Sequence, residues 1–358
     1  MERTPELEHA ALAEARAWRR LVFDAGFGWI TGPERYGGRG LPAPYERLYR
    51  SLEAGYDTPS QLVFAVSVSI VAPAVLAHGT ETVRRSYLGR LHRGDLVAAQ
   101  LFSEPGTGSD LAGVEAVAVQ DGDAWVVTGH KTWITGAHYS DIGEVLCRTD
   151  PEAPRHKGLT AFVVDLRAPG VEVRPIRQMT GGASFNDVVL DHVRVPDDHR
   201  LGEVGGGWTV AMTTLMSERP AIGGGMGTIS ASRLVELVRW LGRHDDPVLR
   251  QKVADVYIRG AVARATSLRA MANLEAGRSP GPELSIAKLS FTDGLRRISD
   301  LAADALGPRL VADTGEWGTY AWAELVLGVP GVRIAGGTDE VLKNVIAERV
   351  LGLPKEPR

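Results

Sequence analysis

The sequence predicts a mainly α-helical protein with a central β domain, divided into residues 1–95, 96–200 and 201–358. Three observations support this prediction. Apolar residues recur every three to four positions in the first block, short runs rich in Val, Thr and Ile fill the second, and long helical patterns return in the third. With 358 residues, 44% of them hydrophobic, the chain is long enough for two or three domains.

The first block has the apolar periodicity of an all-helical domain. Leu7, Ala11, Ala15 and Trp18 follow helical spacing, and glycine and proline residues separate the Ala-rich or Leu-rich segments that follow. The longest apolar stretch, residues 62–77, contains two serines and a proline and is shorter than the roughly 20 residues that cross a bilayer. It is interpreted as a buried core helix, and no membrane contact is expected.

The second and third blocks differ in the length of their apolar runs. Residues 125–128 and 161–165 are short and β-prone, and Asp-Gly, Pro-Gly and Gly-Gly turns bound such runs, which predicts a small antiparallel barrel or sandwich. Longer helical patterns follow, enough for a four-helix bundle, over residues 229–241, 247–277, 285–306 and 339–350.

The composition is that of an ordinary intracellular enzyme. The formal net charge of -4 at pH 7 gives no basic field, so nucleic acid is not an expected partner. Cys147 is the only cysteine, which excludes a disulfide within the chain and a metal centre built from cysteines. The first residues lack the basic and then apolar order of a signal peptide, and a cytoplasmic location is expected.

The run from residue 101 to 110 reads LFSEPGTGSD and has the features of an anion-binding turn. Its proline together with Gly106 and Gly108 predicts a tight turn whose main-chain N–H groups are directed at an anion. Ser103 and Ser109 add hydroxyl donors. A phosphate or the polar edge of a ring would fit there.

A second run, residues 131–136, reads KTWITG and predicts a strand. Because side chains alternate along a strand, Trp133 and Thr135 share one face, where a flat ring and a hydroxyl suit a planar heterocycle. Taken alone, a glycine-rich turn or a strand tryptophan is more often only structural. The pair of runs is the informative signal.

In this order and spacing the two runs resemble the motifs of the acyl-CoA dehydrogenase family, an E-P-x-x-G-S-D segment followed by K-x-W-I-T. The resemblance implies an N-terminal helical domain, a small β-barrel and a C-terminal four-helix bundle. It also implies FAD and an acyl thioester that is oxidised to its trans-2-enoyl form. Further matching segments extend over nearly the whole chain, at residues 36–40, 170–175, 185–188, 193–196, 337–340 and 352–354.

The same resemblance implies the cofactor contacts. Thr135 is expected to hydrogen-bond near N5 of the flavin, and Trp133 to shield one side of its ring. Glu340 stands where a glutamine is frequent in the family. The FAD-binding residues implied are Phe102, Ser103, Gly108, Ser109, Trp133, Thr135, Thr338 and Glu340, and Ser109 is assigned to the substrate as well.

The catalytic base is displaced from its commonest position. Removal of a proton α to a thioester requires a carboxylate in an apolar slot, where desolvation raises its pKa. Many family members carry that glutamate where this chain has Gly336. The branch that includes isovaleryl and long-chain enzymes carries it on an earlier helix, directly before an arginine, and Glu218-Arg219 matches that arrangement. The resemblance therefore makes Glu218 the candidate base.

Each of these residues also has a plainer interpretation. Glu218 and Arg219 could be exposed helix residues that pair with neighbouring charges, as most such residues do. By resemblance, Arg219 belongs to the substrate site and balances its charge. Gly336 lacks a proton acceptor but keeps its main-chain N–H, which in the family helps to stabilise the developing enolate oxygen.

A glycine cluster follows the candidate base, at residues 223–225 and 227. Each glycine costs a helix interior about 1 kcal/mol relative to alanine, so local stability does not explain the cluster. A wide cavity for a branched, cyclic or bulky acyl group and a close contact between helices explain it equally well.

The function expected from the sequence is dehydrogenation of an acyl thioester carried by CoA or an acyl carrier protein, in fatty acid or branched acyl metabolism. The resemblance implies electron-transfer flavoprotein as the electron acceptor and a homo-oligomer, a tetramer or a dimer; no metal is expected. Two alternatives stay open: a monooxygenase or oxidase of the same fold, and a flavin-binding subunit without catalysis in a hetero-oligomer. Acyl chain length and pathway are open as well.

Overall fold

A computed structural model describes residues 5–225, 231–275, 283–312, 314–316 and 321–355. The chain forms two compact units, Met1–Glu218 and Arg219–Arg358. The predicted fold class, helical regions on either side of a β domain, is confirmed. The first unit takes in both the first predicted domain and the β domain, so the three-domain boundaries stay a prediction.

Four helices open the first unit: α1 (Pro5–Asp24), α2 (Ala43–Glu53), α3 (Ala72–His78) and α4 (Glu81–Arg93). Thr80 begins α4 by accepting a hydrogen bond from the Val83 N–H, and Gly94 ends it at a φ of 81°. The apolar stretch predicted as a core helix is helical from Leu62 onward but contains a π-helical segment, Ser67–Val71, directly before α3. Pro73 has no N–H to donate to the preceding turn, which accounts for the irregularity.

Eight strands form one sheet: β1 (Ala98–Leu101), β2 (Val117–Asp121), β3 (Ala124–Thr135), β4 (Ile142–Arg148), β5 (Leu159–Asp165), β6 (Val171–Ile176), β7 (Phe185–Pro196) and β8 (Arg200–Leu201). Their order is β6-β7-β3-β2-β4-β5-β8, with β1 also beside β4. The predicted antiparallel arrangement holds except that β4 runs parallel to both β1 and β2. The long segment between β1 and β4 makes this crossover possible.

Strand β4 is buried on both faces. Ile142 and Leu146 point into a core that α3 and α4 share, whereas Val145 and Cys147 point into a second core within the β domain. The first core also includes Val210, near the start of α5 (Gly207–Gly225). The middle of β4 therefore lies far from solvent.

The second unit contains the rest of α5 and α6 (Ala231–Trp240), α7 (Pro247–Glu275), α8 (Glu283–Leu306), α9 (Ala321–Ile334) and α10 (Asp339–Arg349). The four predicted helical patterns correspond to α6, α7, α8 and α10. Helix α9 escaped prediction because Gly328, Pro330 and Gly331 interrupt its pattern. Its Trp322 packs into the core formed with α6, α7 and α8.

Within the described ranges, no helix combines the length and apolarity needed to cross a bilayer. The same ranges contain no cluster of His, Cys, Asp and Glu side chains that would hold a metal ion. Cys147 is buried and unbridged, and burial raises the pKa of its thiol to about 12.

Candidate active site

The loop that follows β1 is a tight turn closed by its own main chain. The Glu104 N–H donates to the Thr107 carbonyl at 2.9 Å, and the Thr107 N–H donates to the Glu104 carbonyl at 3.0 Å. At the tip, no described atom beyond the chain neighbours lies within 4 Å of the place where a Cβ of Gly106 or Gly108 would stand. Within the described chain, the N–H groups of Gly106, Gly108 and Ser109 have no acceptor, so they can bind an anion.

A buried ion pair anchors this loop to the second motif. The Lys131 ammonium lies 2.7 Å from Oε1 of Glu104 and also donates to the Phe102 and Leu146 carbonyls at 3.3 and 2.8 Å. The same carboxylate accepts the main-chain N–H groups of residues 115 and 116 at 2.6 and 2.9 Å. In the sequence, both residues stand out only as letters of the two motifs. Their role in the structure is to join the two motifs.

The second motif contains a β-bulge at the tryptophan. The pairing of β3 with β7 shifts register between Lys131 and Ile134, and Trp133 takes a φ of 60°, which is strained for a bulky residue. As a result Trp133 is 59% exposed, while Ile134 is buried. Thr135 is exposed as well, while the predicted shared face of the two residues stays a prediction, since the bulge interrupts the alternation. Strain held at an exposed aromatic residue is typical of a functional site.

The remaining residues predicted to bind the cofactor in this unit lie close to the turn but differ in accessibility. Ser109 is exposed and Ser103 is half-buried. The Ser103 carbonyl accepts the Thr132 N–H at 2.9 Å, a second link between the motifs. Phe102 is buried in the core, so contact with a ligand would run through its main chain.

A second group of predicted residues lies at the turn between α9 and α10. Gly336 and Gly337 have φ values of 65° and 89°, which favour glycine. Thr338 is the N-cap of α10 and accepts the Val341 N–H at 3.1 Å, and Glu340 in the first turn is exposed. The first-turn acid at Glu340 suits the positive end of the helix dipole.

A buried lysine holds this turn from α8. The Lys288 ammonium donates to the Gly337 carbonyl at 2.9 Å and lies 3.6 Å from Oδ1 of Asp339. Asp339 also accepts the Thr292 hydroxyl and Arg333 Nε, both at 2.7 Å. Burial acts to raise the pKa of Asp339, but these hydrogen bonds outweigh it and the pKa lies below its usual value. This cluster was not predicted, because its members come from two segments that are distant in sequence and form no motif.

The candidate base lies on α5. Glu218 is the last residue of the first unit and Arg219 the first of the second, and both belong to the helix, while their side chains lie outside the described residues. The glycines at 223–225 end the same helix, and Gly227 lies outside the described residues. The roles of the predicted site residues therefore stay predictions.

Three family descriptions match consecutive stretches of the chain. They are the acyl-CoA dehydrogenase N-terminal domain over residues 2–95, the middle domain over 99–193 and the C-terminal domain over 205–351.

Among curated relatives, the acyl-CoA dehydrogenase IpdE1 of Mycobacterium tuberculosis is 37% identical over 99% of this chain and 92% of its own length. The acyl-CoA dehydrogenase FadE34 of the same organism is 38% identical over 97% of this chain, which spans 47% of that longer protein. Among solved structures, the Tcur3481-Tcur3483 steroid ACAD aligns with a TM-score of 0.82 at 28% identity, over 95% of this chain and 89% of its own. The ChsE4-ChsE5 complex from M. tuberculosis aligns at 0.78 and 26% identity, over 99% and 94%.

Proposed function

The chain belongs to the acyl-CoA dehydrogenase family, and on that premise we propose that Glu218 removes the α proton of an acyl-CoA thioester while the β hydrogen leaves as hydride to flavin N5. Members of this family bind FAD and oxidise acyl-CoA. The chain is accordingly an FAD-dependent oxidoreductase. The observation that carries the flavin part of the proposal is the buried Glu104–Lys131 pair, which joins the anion-binding turn to the Trp133 bulge. The base is proposed from the Glu218-Arg219 match and from the glycine at position 336.

The first unit fits FAD. Free N–H groups at Gly108 and Ser109 suit a diphosphate, and the exposed ring of Trp133 beside Thr135 suits a planar heterocycle. When bound, FAD supplies the hydride acceptor. The remaining tasks fall to the side chains and N–H groups of this chain.

Those tasks are proton removal and stabilisation of the oxyanion. Gly336 has no side chain to accept a proton, which leaves Glu218 as the carboxylate at a position that the family uses. The Gly336 N–H is the proposed donor to the developing enolate oxygen. Lys288 supports this donor, because it fixes the carbonyl of the adjoining Gly337 at 2.9 Å.

Replacement of the base tests the proposal directly. The purified yellow protein is titrated anaerobically with straight, branched and cyclic acyl-CoA thioesters, and flavin bleaching is followed for wild type and Glu218→Gln. We expect the variant to keep its flavin but to be reduced about 10²- to 10⁴-fold more slowly, the usual contribution of a general base. Glu203→Gln, a 96% exposed side chain, is the matched control. Wild-type reduction rates in Glu218→Gln would exclude the assigned base.

The acyl group and partners form a finer part of the proposal. The glycines at 223–225 support a wide cavity for a bulky or cyclic acyl group, and a solved relative carries the description steroid ACAD. We expect Gly224→Leu to shift preference toward shorter chains, measured as kcat/KM across the same panel; an unchanged preference would refute the cavity. Electron-transfer flavoprotein is the proposed electron acceptor, and a homotetramer or homodimer the proposed assembly.

A second candidate is a flavin-binding subunit that acts beside a different catalytic chain. The lack of a carboxylate at Gly336 favours it, and ChsE4-ChsE5 is a complex of two named components. Reduction of the isolated chain by any thioester, lost in Glu218→Gln, excludes this candidate. An isolated chain that holds flavin and is reduced by none of the thioesters favours it.

A further inference from the structure

Strand β4 carries a glutamate that the proposed chemistry does not use. The Glu144 side chain is fully buried. Its Oε1 accepts the Thr214 hydroxyl of α5 at 2.7 Å, and its Oε2 has no hydrogen-bond partner in the described chain. A buried carboxyl oxygen without a partner is costly, so its retention calls for an explanation.

No oppositely charged side chain pairs with Glu144 among the residues that the structure describes. Gln100 of β1 and Val163 of β5 stand beside it in the sheet, and Thr214 faces it from α5. Ionisable groups on the neighbouring elements have other partners: Lys131 pairs with Glu104, Asp141 with Arg16 and Arg167, and His78 of α3 bonds to Thr213. Burial raises the pKa of Glu144 to about 8, against a smaller opposite effect of the Thr214 hydrogen bond. At neutral pH the carboxyl is therefore protonated.

The partner of Glu144 lies one helical turn before the candidate base. Thr214 and Glu218 are four residues apart on α5, so they share one side of the helix. The Thr214 hydroxyl also contacts the Val210 carbonyl at 3.2 Å. A neighbouring contact, His78 Nε2 to Thr213 Oγ1 at 2.8 Å, links α5 to α3. Glu144 thus ties the same turn of α5 to the sheet that carries the flavin motifs.

We propose that Glu144 is a positioning residue whose protonated carboxyl holds α5, and with it Glu218, in the placement needed for proton removal. This inference rests on the proposed function of Glu218. Ionisation of Glu144 places an uncompensated charge in the core beside α5 and loosens the helix. Dehydrogenation should consequently have an alkaline limb that belongs to Glu144.

The test compares Glu144→Gln, Glu144→Leu and wild type by kcat from pH 6 to 9.5. Glutamine keeps the acceptor for Thr214 but cannot ionise, so this variant should stay within about twofold of wild type at pH 7 and lose the alkaline limb. Leucine removes the tie yet leaves Thr214 bonded to the Val210 carbonyl. We expect a folded protein with kcat reduced roughly 10- to 100-fold and KM little changed, as for a small misplacement of a catalytic group.

Hydrogen exchange over residues 208–217, corrected for intrinsic pH dependence, separates this inference from the assignment of Glu218. The corrected exchange rate should rise above about pH 8 in the wild type and stay constant with pH in Glu144→Gln. In Glu144→Leu it should be high at all pH values. An alkaline limb retained in Glu144→Gln, or wild-type kcat and exchange in Glu144→Leu, would overturn the inference. If Glu218→Gln keeps full turnover while the exchange pattern is as expected, only the assignment of Glu218 as the base is overturned.

Discussion

Two glutamates lie buried in the same β domain, and their surroundings differ. Glu104 meets the Lys131 ammonium at 2.7 Å and two main-chain N–H groups. Glu144 meets one hydroxyl, and its second oxygen has no partner among the described residues. The first is held as an ion pair, whereas burial raises the pKa of the second to about 8.

The difference shows that the hydrogen-bond and ionic partners of a buried carboxyl, rather than burial alone, decide whether it acts in its charged or its neutral form. The partners of Glu104 belong to the second motif and to residues 115 and 116, so its charge holds the cofactor loop. Glu144 has no counter-ion among the described residues, and its neutral form ties a helix to the sheet. One carboxyl fixes a loop through its charge, and the other fixes a helix only while it lacks charge.

Removal of the cation beside Glu104 should have the largest effect. Lys131→Met leaves a buried carboxylate without its counter-ion, and we expect the free energy of unfolding to fall by about 3–5 kcal/mol, with loss of bound flavin. Chemical denaturation and flavin absorbance measure the two effects.

The double variant Lys131→Met, Glu104→Gln is the control, since it removes both charges. It should recover part of the lost stability, because the remaining amide leaves no unpaired charge. A single variant that loses less than about 1 kcal/mol would show that the carboxyl simply takes up a proton.

The second prediction concerns the pH dependence that Glu144 imposes. Its pKa is raised from 4.5 to about 8 on folding, so between these values the native state binds a proton that the unfolded state has lost, and stability falls as pH rises. Glu144→Gln lacks this titration. Its stability relative to wild type should grow by about 1.4 kcal/mol per pH unit near pH 6 and by about half that at pH 8, or roughly 2 kcal/mol in all from pH 6 to 8. Urea unfolding at several pH values measures the slope, and a flat difference would show that Glu144 is charged in the native state.

Removal of the only hydroxyl that faces Glu144 in the described chain should have a smaller effect. Thr214→Val leaves both carboxyl oxygens without a partner, and we expect a loss of about 1–2 kcal/mol in the free energy of unfolding at pH 7. Because the hydrogen bond lowers the pKa of Glu144, its loss should also move the pKa upward. Thermal unfolding and the alkaline limb of kcat report the two changes. If the alkaline limb of kcat does not shift in Thr214→Val, the limb belongs to a group other than Glu144.

The sequence predicted the order of helical and β regions because helical periodicity and short β-prone runs are local features. It missed α9, whose Gly328, Pro330 and Gly331 disfavour a helix locally, while packing of Trp322 into the core supports one. It also missed the parallel pairing of β1 with β4, which depends on contacts between distant segments.

The part of the candidate site that lies within the two sequence motifs could be predicted. The turn with Gly106 and Gly108 follows from local chemistry. The bulge at Trp133, by contrast, depends on the register with β7. The burial of Glu144 could not be predicted from the sequence, because a single acidic residue in a strand normally lies on the exposed face. It is buried because hydrophobic cores cover both faces of β4.

The smallest effect should come from an ion pair on the surface of the same loop. Asp110 and Arg155 approach to 2.5 Å, closer than Glu104 and Lys131, but their side chains are 65% and 61% exposed. Water and salt screen such a pair, so Arg155→Ala should lower the free energy of unfolding by less than about 1 kcal/mol. The loss should be smaller still in about 0.5 M salt, which screens charges more strongly than the physiological ~0.15 M. Denaturation at low and high salt measures both values. A loss comparable to that of Lys131→Met would mean that distance, rather than burial, sets the strength of ion pairs in this loop, and the contrast between the two glutamates would then need a different cause.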